Sequence, residues 1–173
     1  MENKKFKVVA SLSNIDWNGG KVTGTHNGTI DIKEGEFNLN EGKLVAGKFV
    51  VDTGSIKVLD ITDPVTNAQF VGHMTSNDFF ASAEYPEASF EITSVKENHI
   101  EGNLTIKGIR RAIGFDADIH VAGDTLTAAG EMIVDRTEFD MKFRSGNFFK
   151  NLGDTLIYNK FELNVHITAK AEI

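Results

Sequence analysis

The sequence contains no cysteine, only two prolines and one tryptophan, and no long apolar run. Because cysteine is absent, a disulfide framework, a thiolate nucleophile and a thiolate-bound metal are excluded. A helix needs roughly 20 consecutive apolar residues to cross a bilayer, and no stretch approaches that length, so we expect no transmembrane segment. The net charge is −7 and the basic residues are scattered, which argues against nucleic acid as a partner.

The first residues, MENKKFKVVASL, carry the lysines of a signal peptide but lack its long apolar segment. Two locations are therefore compatible with the sequence. The protein is periplasmic if an export signal was removed before Met1, and cytoplasmic otherwise.

Phenylalanine is abundant, with 13 residues, and apolar residues make up 40% of the chain. Phenylalanine has no polar group to satisfy, so it is readily buried. A chain of this length can bury a substantial core. We expect a single domain over residues 1–173.

Apolar and polar residues alternate along most of the chain, as in half-buried antiparallel strands. The apolar phase of AIGFDADIHVAG runs from Ile113 to Val121, and that of KLVAGKFVVD holds Val45, Gly47, Phe49 and Val51. Glycine-rich turns separate seven to nine such strands. Long strands with one apolar face must close on themselves or stack. The predicted fold is all-β, an extended antiparallel lipocalin-like β-barrel of about eight strands.

Glycine and alanine recur on the inward phase of these strands. They permit two interpretations: a tight barrel that fills itself, or a lumen that leaves room for a guest. The alternation alone does not choose between them.

A helical insert near residues 63–81 interrupts the alternation. Asp63-Pro64 is typical of a helix start, with proline at the first helical position. Ser76 or Asn77 is expected to cap a second short turn that carries Phe79 and Phe80. An insert of this kind is suited to cover one mouth of the barrel.

The segment VVDTGSI contains Asp52-Thr53-Gly54, the tripeptide of an aspartic protease loop. Such an enzyme needs two carboxylates that share a proton, and the chain has no second Asp-Thr-Gly or Asp-Ser-Gly. We therefore favour an ordinary strand-end carboxylate for Asp52.

The histidines and Arg136 are the other candidates for polar chemistry. No His-x-His or His-x-x-x-His pair is present, so no metal site is predicted. His26 lies on an apolar phase and His73 in the insert; we favour buried imidazoles bonded to backbone over contact with a ligand's polar end. For Arg136 we favour a salt bridge to Asp135, Glu138 or Asp140.

Two aromatic features complete the candidates. Trp17 shares a face with Ile15 and is expected in the core rather than as a stacking platform. Phe148-Phe149, between Gly146 and Gly153, is expected in a loop at an entrance or a subunit contact.

Several segments resemble one bacterial family in order and content. SNIDWNGGKVTGTHNG resembles its opening S-x-x-x-W…G-x-H-x-G run, and GHMTSNDFFASAEYPEASFEI resembles its central H-L-x-S-x-D-F-F-x-x-x-x-Y-P-x-A-x-F signature. GNLTIKG, DRTEFDM and the final strand also match, with Asp140 where glycine is usual. The chain resembles the YceI-like family of lipocalin-like lipid-binding proteins over nearly its whole length.

The resemblance implies a barrel whose mouth is partly covered by the insert and which binds long polyisoprenoid chains, including quinone precursors. It also implies that a homodimer is possible. The ligand would be a non-covalent isoprenoid or quinone lipid, or another long amphiphile, with no other cofactor and no catalytic residue.

The expected tunnel lining follows from the strand phases, with two aromatics near the mouth and three polar residues near the head group. The strand residues are Phe49, Ile92, Leu104, Phe115, Ile119, Met132, Phe161 and Val165; the mouth aromatics are Phe79 and Phe80; the polar residues are His26, His73 and Arg136. Non-enzymatic binding, storage or transport of lipid is the first functional hypothesis. The alternatives are a hydrolase or isomerase that uses Asp52 or His73, and a structural barrel with a filled core.

Overall fold

The computed structural model describes residues 3–21, 24–145 and 157–172. Nine antiparallel strands and one helix, α1, account for most of this part of the chain. The strands are β1 (Asn3–Val8), β2 (Asn14–Lys21), β3 (Gly24–Asn40), β4 (Lys43–Val58), β5 (Glu87–Lys96), β6 (His99–Ile106), β7 (Ile109–Ala122), β8 (Thr125–Asp135) and β9 (Lys160–Ala171), and α1 spans Pro64–Met74.

The strands form one closed sheet. From β9 the order runs through β8, β7, β6, β5 and β4, and pairing of β4 with β3 completes the circle. β1 and β2 both lie between β3 and β9, at opposite ends: Phe6 pairs with Phe37, whereas Ile15 pairs with Ile30. A 3₁₀ turn at Ala10–Leu12 separates β1 from β2, so the two short strands together occupy one strand position of the barrel. The nine segments therefore make an eight-position barrel, which confirms the predicted fold class.

In the described strands, alternation places most of the predicted apolar phase inside the barrel, but Val45 in β4 departs from it. Val45 is 48% exposed, and its neighbour Leu44 is buried instead. The pairing of β3 with β4 skips Val45 at a bulge, where Asn38 faces Ala46 and Leu39 faces Leu44. The predicted inward phase of Val45 is therefore wrong, because a bulge shifts the alternation by one residue.

Asp52 does not end a strand, contrary to the prediction. β4 continues to Val58, and Asp52 pairs with Asp31 on one side and Glu87 on the other. Its side chain is exposed, and its Oδ1 accepts a hydrogen bond from the amide of Gly54 at 2.9 Å. Asp52 is a surface residue within a long strand.

Inward-facing glycines make room for aromatic rings. A Cβ added at Gly102 would lie 2.3 Å from the carbonyl oxygen of Glu91 and 2.6 Å from Cζ of Phe90. Three other wall glycines have the same relation to a ring. The pairs are Gly28 with Trp17, Gly47 with Phe37, Gly102 with Phe90 and Gly130 with Phe115. At these four positions the small residue serves packing rather than a guest.

Helix α1 begins at the predicted cap, and the predicted second turn follows it. The side chain of Asp63 accepts the amide hydrogen of Thr66 at 2.9 Å, and Pro64 occupies the first turn. The helix ends at Met74, and turns follow it. A short turn after Ser76 carries Phe79 and Phe80, as predicted: the Ser76 hydroxyl accepts the amide hydrogen of Asp78 at 3.3 Å. Ala81 ends this turn in a left-handed conformation, with φ +48°.

The turns after α1 bury Phe79, Phe80 and Ala81 beneath the helix. The far end of the barrel is densely filled, with Phe6 and Leu126 fully buried there. Within the described ranges, no helix combines the length and apolar character needed to cross a bilayer.

Candidate functional site

A cavity of about 240 Å³ lies at the end of the barrel beside α1. Residues of β2, β3, β4 and β9 form its wall, α1 and the turns after it cover it, and the segment after β8 forms its rim. Trp17, Phe70, Phe79 and Phe143 contribute aromatic faces to this mouth cavity. It is therefore a largely apolar chamber bounded by a helix, turns and strands.

Two smaller cavities continue down the barrel. The middle one measures about 50 Å³ and the deep one about 30 Å³. Phe80, Phe161 and Leu163 line both the mouth and the middle cavity. Phe49 and Val165 line both the middle and the deep cavity. The lumen is thus a row of three apolar spaces separated by side chains, and not an open tunnel.

The residues predicted to line a tunnel are distributed over all three spaces. The mouth cavity is lined by Phe79, Phe80, Phe161, His26, His73 and Arg136; the middle cavity by Phe49, Leu104, Met132 and Val165; and the deep cavity by Ile92 and Phe115. Ile119 lines none of these cavities; it is half-buried near the end of β7.

Several lining residues were not predicted. Ile30 and Leu163 share the inward phase of His26 and Phe161, so alternation would have found them. Met141 and Phe143 follow β8 in an irregular segment, where no periodic signal exists. Trp17 is buried in the core as expected, but its ring also lines the mouth cavity and lies parallel to Phe70, with 6.4 Å between centroids.

His26 lies at the cavity wall with a carboxylate behind it. Its Nδ1 is 2.8 Å from Oδ2 of Asp60, and its ring meets the edge of Phe70 at 4.8 Å. Burial raises the pKa of Asp60, but hydrogen bonds from the Asn27 amide and from His26 outweigh it and leave that pKa lowered. The favoured prediction of a buried imidazole bonded to backbone is wrong for His26.

His73 repeats this arrangement on the α1 side. Its Nε2 is 2.9 Å from Oδ2 of Asp78, and its side chain is 40% exposed. The ring stands edge-on to Phe79 and Phe143, with centroids 5.1 and 4.7 Å away. His73 is also bonded to a carboxylate rather than to backbone.

Arg136 is the buried cation of the site, with 3% of its surface exposed. Its guanidinium donates hydrogen bonds to the carbonyl oxygens of Tyr158 at 2.9 Å, Ile157 at 3.0 Å and Met141. The predicted salt bridge is wrong, because all three partners are neutral. Burial lowers the pKa of Arg136 to about 10, although the charge of Asp135 opposes the shift. The guanidinium stays charged at neutral pH.

Other predicted features lie away from the cavity or outside the described chain. Asp52 is on the outer surface of β4. Among the residues the structure describes, no group of three histidine, aspartate or glutamate side chains converges as a metal site would require. Phe148 and Phe149 fall outside the described residues.

Comparison with known proteins gives a family match across the chain. The model of the YceI-like domain matches residues 6–169. Protein YceI of Escherichia coli O157:H7 is 31% identical over 101 residues, which are 56% of this chain and 50% of the relative. A UPF0312 protein of Staphylococcus aureus (strain N315) is 44% identical over 48 residues, or 28% of each chain. The chain thus spans half or less of the curated relatives it matches.

Solved structures share the fold at low identity. BcnA of Burkholderia cenocepacia has a TM-score of 0.70 at 18% identity, over 94% of this chain and 99% of its own. A polyisoprenoid-binding domain from Saccharophagus degradans, described as implicated in plant cell wall breakdown, has a TM-score of 0.68 at 13% identity, over 96% and 98%. These neighbours establish the architecture. Because the family model spans all but the first five and last four residues, the chain belongs to the YceI-like family.

Proposed function

We propose that this protein binds an isoprenoid or quinone-type lipid in its barrel without transforming it. The observation that carries the proposal is the mouth cavity of about 240 Å³, which continues toward two deeper apolar spaces. Membership of the YceI-like family and the resemblance in fold to a polyisoprenoid-binding domain support it.

The energetics favour an apolar chain in this position. Each buried CH₂ contributes about 0.8 kcal/mol, so one isoprene unit contributes roughly 3–4 kcal/mol at most. A few units outweigh the several kcal/mol lost on association. Ligand pockets in proteins measure roughly 300–1,000 Å³, so the mouth cavity fits a head group and the first part of a chain. A longer chain requires Phe80, Phe161 or Leu163 to turn aside.

Filling the mouth cavity with protein tests the proposal. Leu163 lines both the mouth and the middle cavity and is half-buried, so Leu163→Trp places an indole where the chain would lie. Leu59→Trp is the matched control, since Leu59 is 62% exposed and lines no part of the cavity.

The delipidated proteins are titrated with a quinone that carries two isoprene units, by isothermal titration calorimetry. We expect stoichiometric binding to wild type and to Leu59→Trp, and at least about tenfold weaker binding to Leu163→Trp. Trp17 is the sole tryptophan and lines the cavity, so wild-type binding should also quench its emission. Failure of wild type to bind, or equal binding by both variants, would contradict the proposal.

A further inference from the structure

The mouth cavity has an unbalanced charge. Four side chains in its lining are cationic at neutral pH, and the described lining includes no aspartate or glutamate. This is the reverse of the chain as a whole, whose net charge is −7. The four cations are Lys21, Arg136, Arg144 and Lys160.

Backbone contacts hold these cations together at one side of the mouth. Ile157 pairs with Lys21, its amide donates to the carbonyl oxygen of Arg144 at 2.8 Å, and its own carbonyl accepts from Arg136 at 3.0 Å. Lys160 follows at the start of β9. The cluster is therefore built into the rim where the segment after β8 meets β2 and β9.

Within the described ranges no carboxylate forms an ion pair with the cluster, although the charge of Asp135 acts on Arg136. Lys21, Arg144 and Lys160 form no ion pair there, and Arg136 bonds only to carbonyl oxygens. The nearby carboxylate of Asp135 accepts the amide and hydroxyl hydrogens of Thr137 at 3.0 and 2.6 Å. Positive charge without a charged partner is costly where it is buried, so the cluster as a whole favours an external anion.

The histidines of the mouth differ from these four residues. His26 and His73 also line the cavity, but each faces a carboxylate, Asp60 or Asp78, at hydrogen-bond distance. Their charge is balanced when they are protonated. The uncompensated positive charge is therefore confined to the rim around Ile157.

We infer that the lipid carries an anionic head group, a carboxylate or a phosphate, held at this rim while its apolar chain enters the barrel. The inference rests on the proposed function and narrows it to acidic amphiphiles. Charge-assisted hydrogen bonds from arginine and lysine to carboxylate or phosphate oxygens are the strong interactions available here. They give a selectivity that apolar contact with the chain does not provide.

Three probes with the same 15-carbon chain separate head group from tail: farnesol, farnesoic acid and farnesyl monophosphate. Calorimetric titrations are run at pH 8 in 20 mM and 500 mM NaCl, below the concentration at which each probe aggregates. In wild type at low salt we expect an acidic probe to bind at least about tenfold more tightly than farnesol. The difference should shrink to about threefold or less at high salt, because salt screens exposed charges.

Two charge-matched triple variants locate the effect. Lys21→Gln with Arg144→Gln and Lys160→Gln should remove most of the preference by weakening the binding of the acidic probes. A preference that survives in this variant overturns the inference. The control alters three exposed lysines away from the mouth, Lys43→Gln, Lys48→Gln and Lys96→Gln, and should retain the preference. Arg136 is left intact because its three backbone bonds support the fold.

The outcomes are distinguishable. Equal binding of farnesol and both acidic probes by wild type overturns the inference and leaves lipid binding standing. Loss of the preference in both triple variants also overturns it, since overall charge would then be the cause. If none of the three probes binds, the proposed function itself fails. A preference for the monophosphate over the acid, or the reverse, identifies the anion.

Discussion

Aromatic rings occupy the space beside inward-facing glycines and so determine how much of the lumen is free for a ligand. At Gly47 an added Cβ would lie 2.4 Å from Cδ1 of Phe37, and at Gly130 it would lie 2.8 Å from Cε2 of Phe115. The sequence showed small residues on the inward phase but could not tell whether rings or a guest filled the space above them. That choice depends on neighbours across the sheet, which are far apart in sequence.

Gly102→Ala tests this packing. The new methyl would meet both the carbonyl oxygen of Glu91 and the ring of Phe90, so we expect a loss of about 1–3 kcal/mol in the free energy of unfolding, as for other overpacked cores. Gly54→Ala is the control in an exposed strand position, where the nearest atom is Oδ1 of Asp52 at 3.3 Å. Urea denaturation measures the stability of both variants. Equal midpoints would show that the ring of Phe90 does not fill the space beside Gly102.

His99 provides a pH-dependent contact on the outer surface. Its Nδ1 lies 2.9 Å from Oδ1 of Asp116 and its Nε2 lies 3.4 Å from Oε1 of Glu101. The hydrogen bond to Asp116, followed by that to Glu101, raises the pKa of His99 against the opposing effect of desolvation. A raised pKa in the folded state means that protonation favours folding.

Wild type should therefore be more stable than His99→Gln at pH 5–6, below the ordinary histidine pKa of about 6.5. The advantage should fade as pH rises through the raised pKa. Urea midpoints of both proteins from pH 5 to 9 measure this. Asp116→Asn should lower the pKa of His99 observed by NMR; an unchanged titration would remove Asp116 as the cause.

The hydrogen-bond partners of the site residues were the least predictable part of the site. His26 bonds to Asp60, 34 positions away in the chain, and Arg136 bonds to the carbonyl groups of Tyr158 and Ile157, 22 and 21 positions away. No local pattern encodes such contacts. By contrast, the left-handed conformation of Asp140, with φ +60°, fits a family position where glycine is usual, because aspartate tolerates this region better than most residues.

At the scale of elements, α1 is the part of the mouth that is least tied to the barrel. None of its residues is buried. The side-chain amide of Asn67 donates to the carbonyl oxygens of Val58 at 2.8 Å and Ile61 at 3.0 Å, and Phe70 and Met74 pack partly against the core. An element with few buried contacts opens locally at low free energy, so we expect α1 to open more readily than the strands.

Removal of the helix cap tests this weakness. Asp63→Ala loses the bonds from the Thr66 hydroxyl and amide, which also lower the pKa of Asp63. At pH 7 we expect amide hydrogen exchange in α1 to become several-fold faster, with no change in β8 and β9. Glu84→Ala is the control outside the helix. If the amides of α1 exchange only when the whole protein unfolds, both in wild type and in Asp63→Ala, then the helix does not open separately and the prediction is contradicted.

The start of α1 and the short turn after the helix were predictable. Asp63-Pro64 combines a cap residue with a proline in the first turn, which are local signals. The burial of Phe79 and Phe80 in that turn depends on tertiary packing, which local signals do not encode. Likewise, alternation predicted the inner face of β4 except at Val45, where a bulge with β3 decides the phase.

At the scale of the whole molecule, closure of the barrel followed from the sequence, but the division of its lumen did not. Many long half-buried strands have to close or stack. Because β1 and β2 share one strand position, the nine strands form a barrel of eight positions. The sizes of the three cavities depend on rotamers of Phe49, Phe80 and Phe161. The sequence left two alternatives, a barrel that fills itself and a lumen with room for a guest. The structure combines them, with a filled far end and an apolar cavity at the mouth.

Native mass spectrometry of the purified protein, followed by organic extraction, tests most directly whether the lumen accepts a lipid. The account predicts a 1:1 adduct of several hundred daltons, or one that forms when an isoprenoid lipid is added, and its absence from Leu163→Trp. A wild-type protein that carries nothing and takes up no added isoprenoid lipid would contradict it and indicate a barrel with a purely structural core.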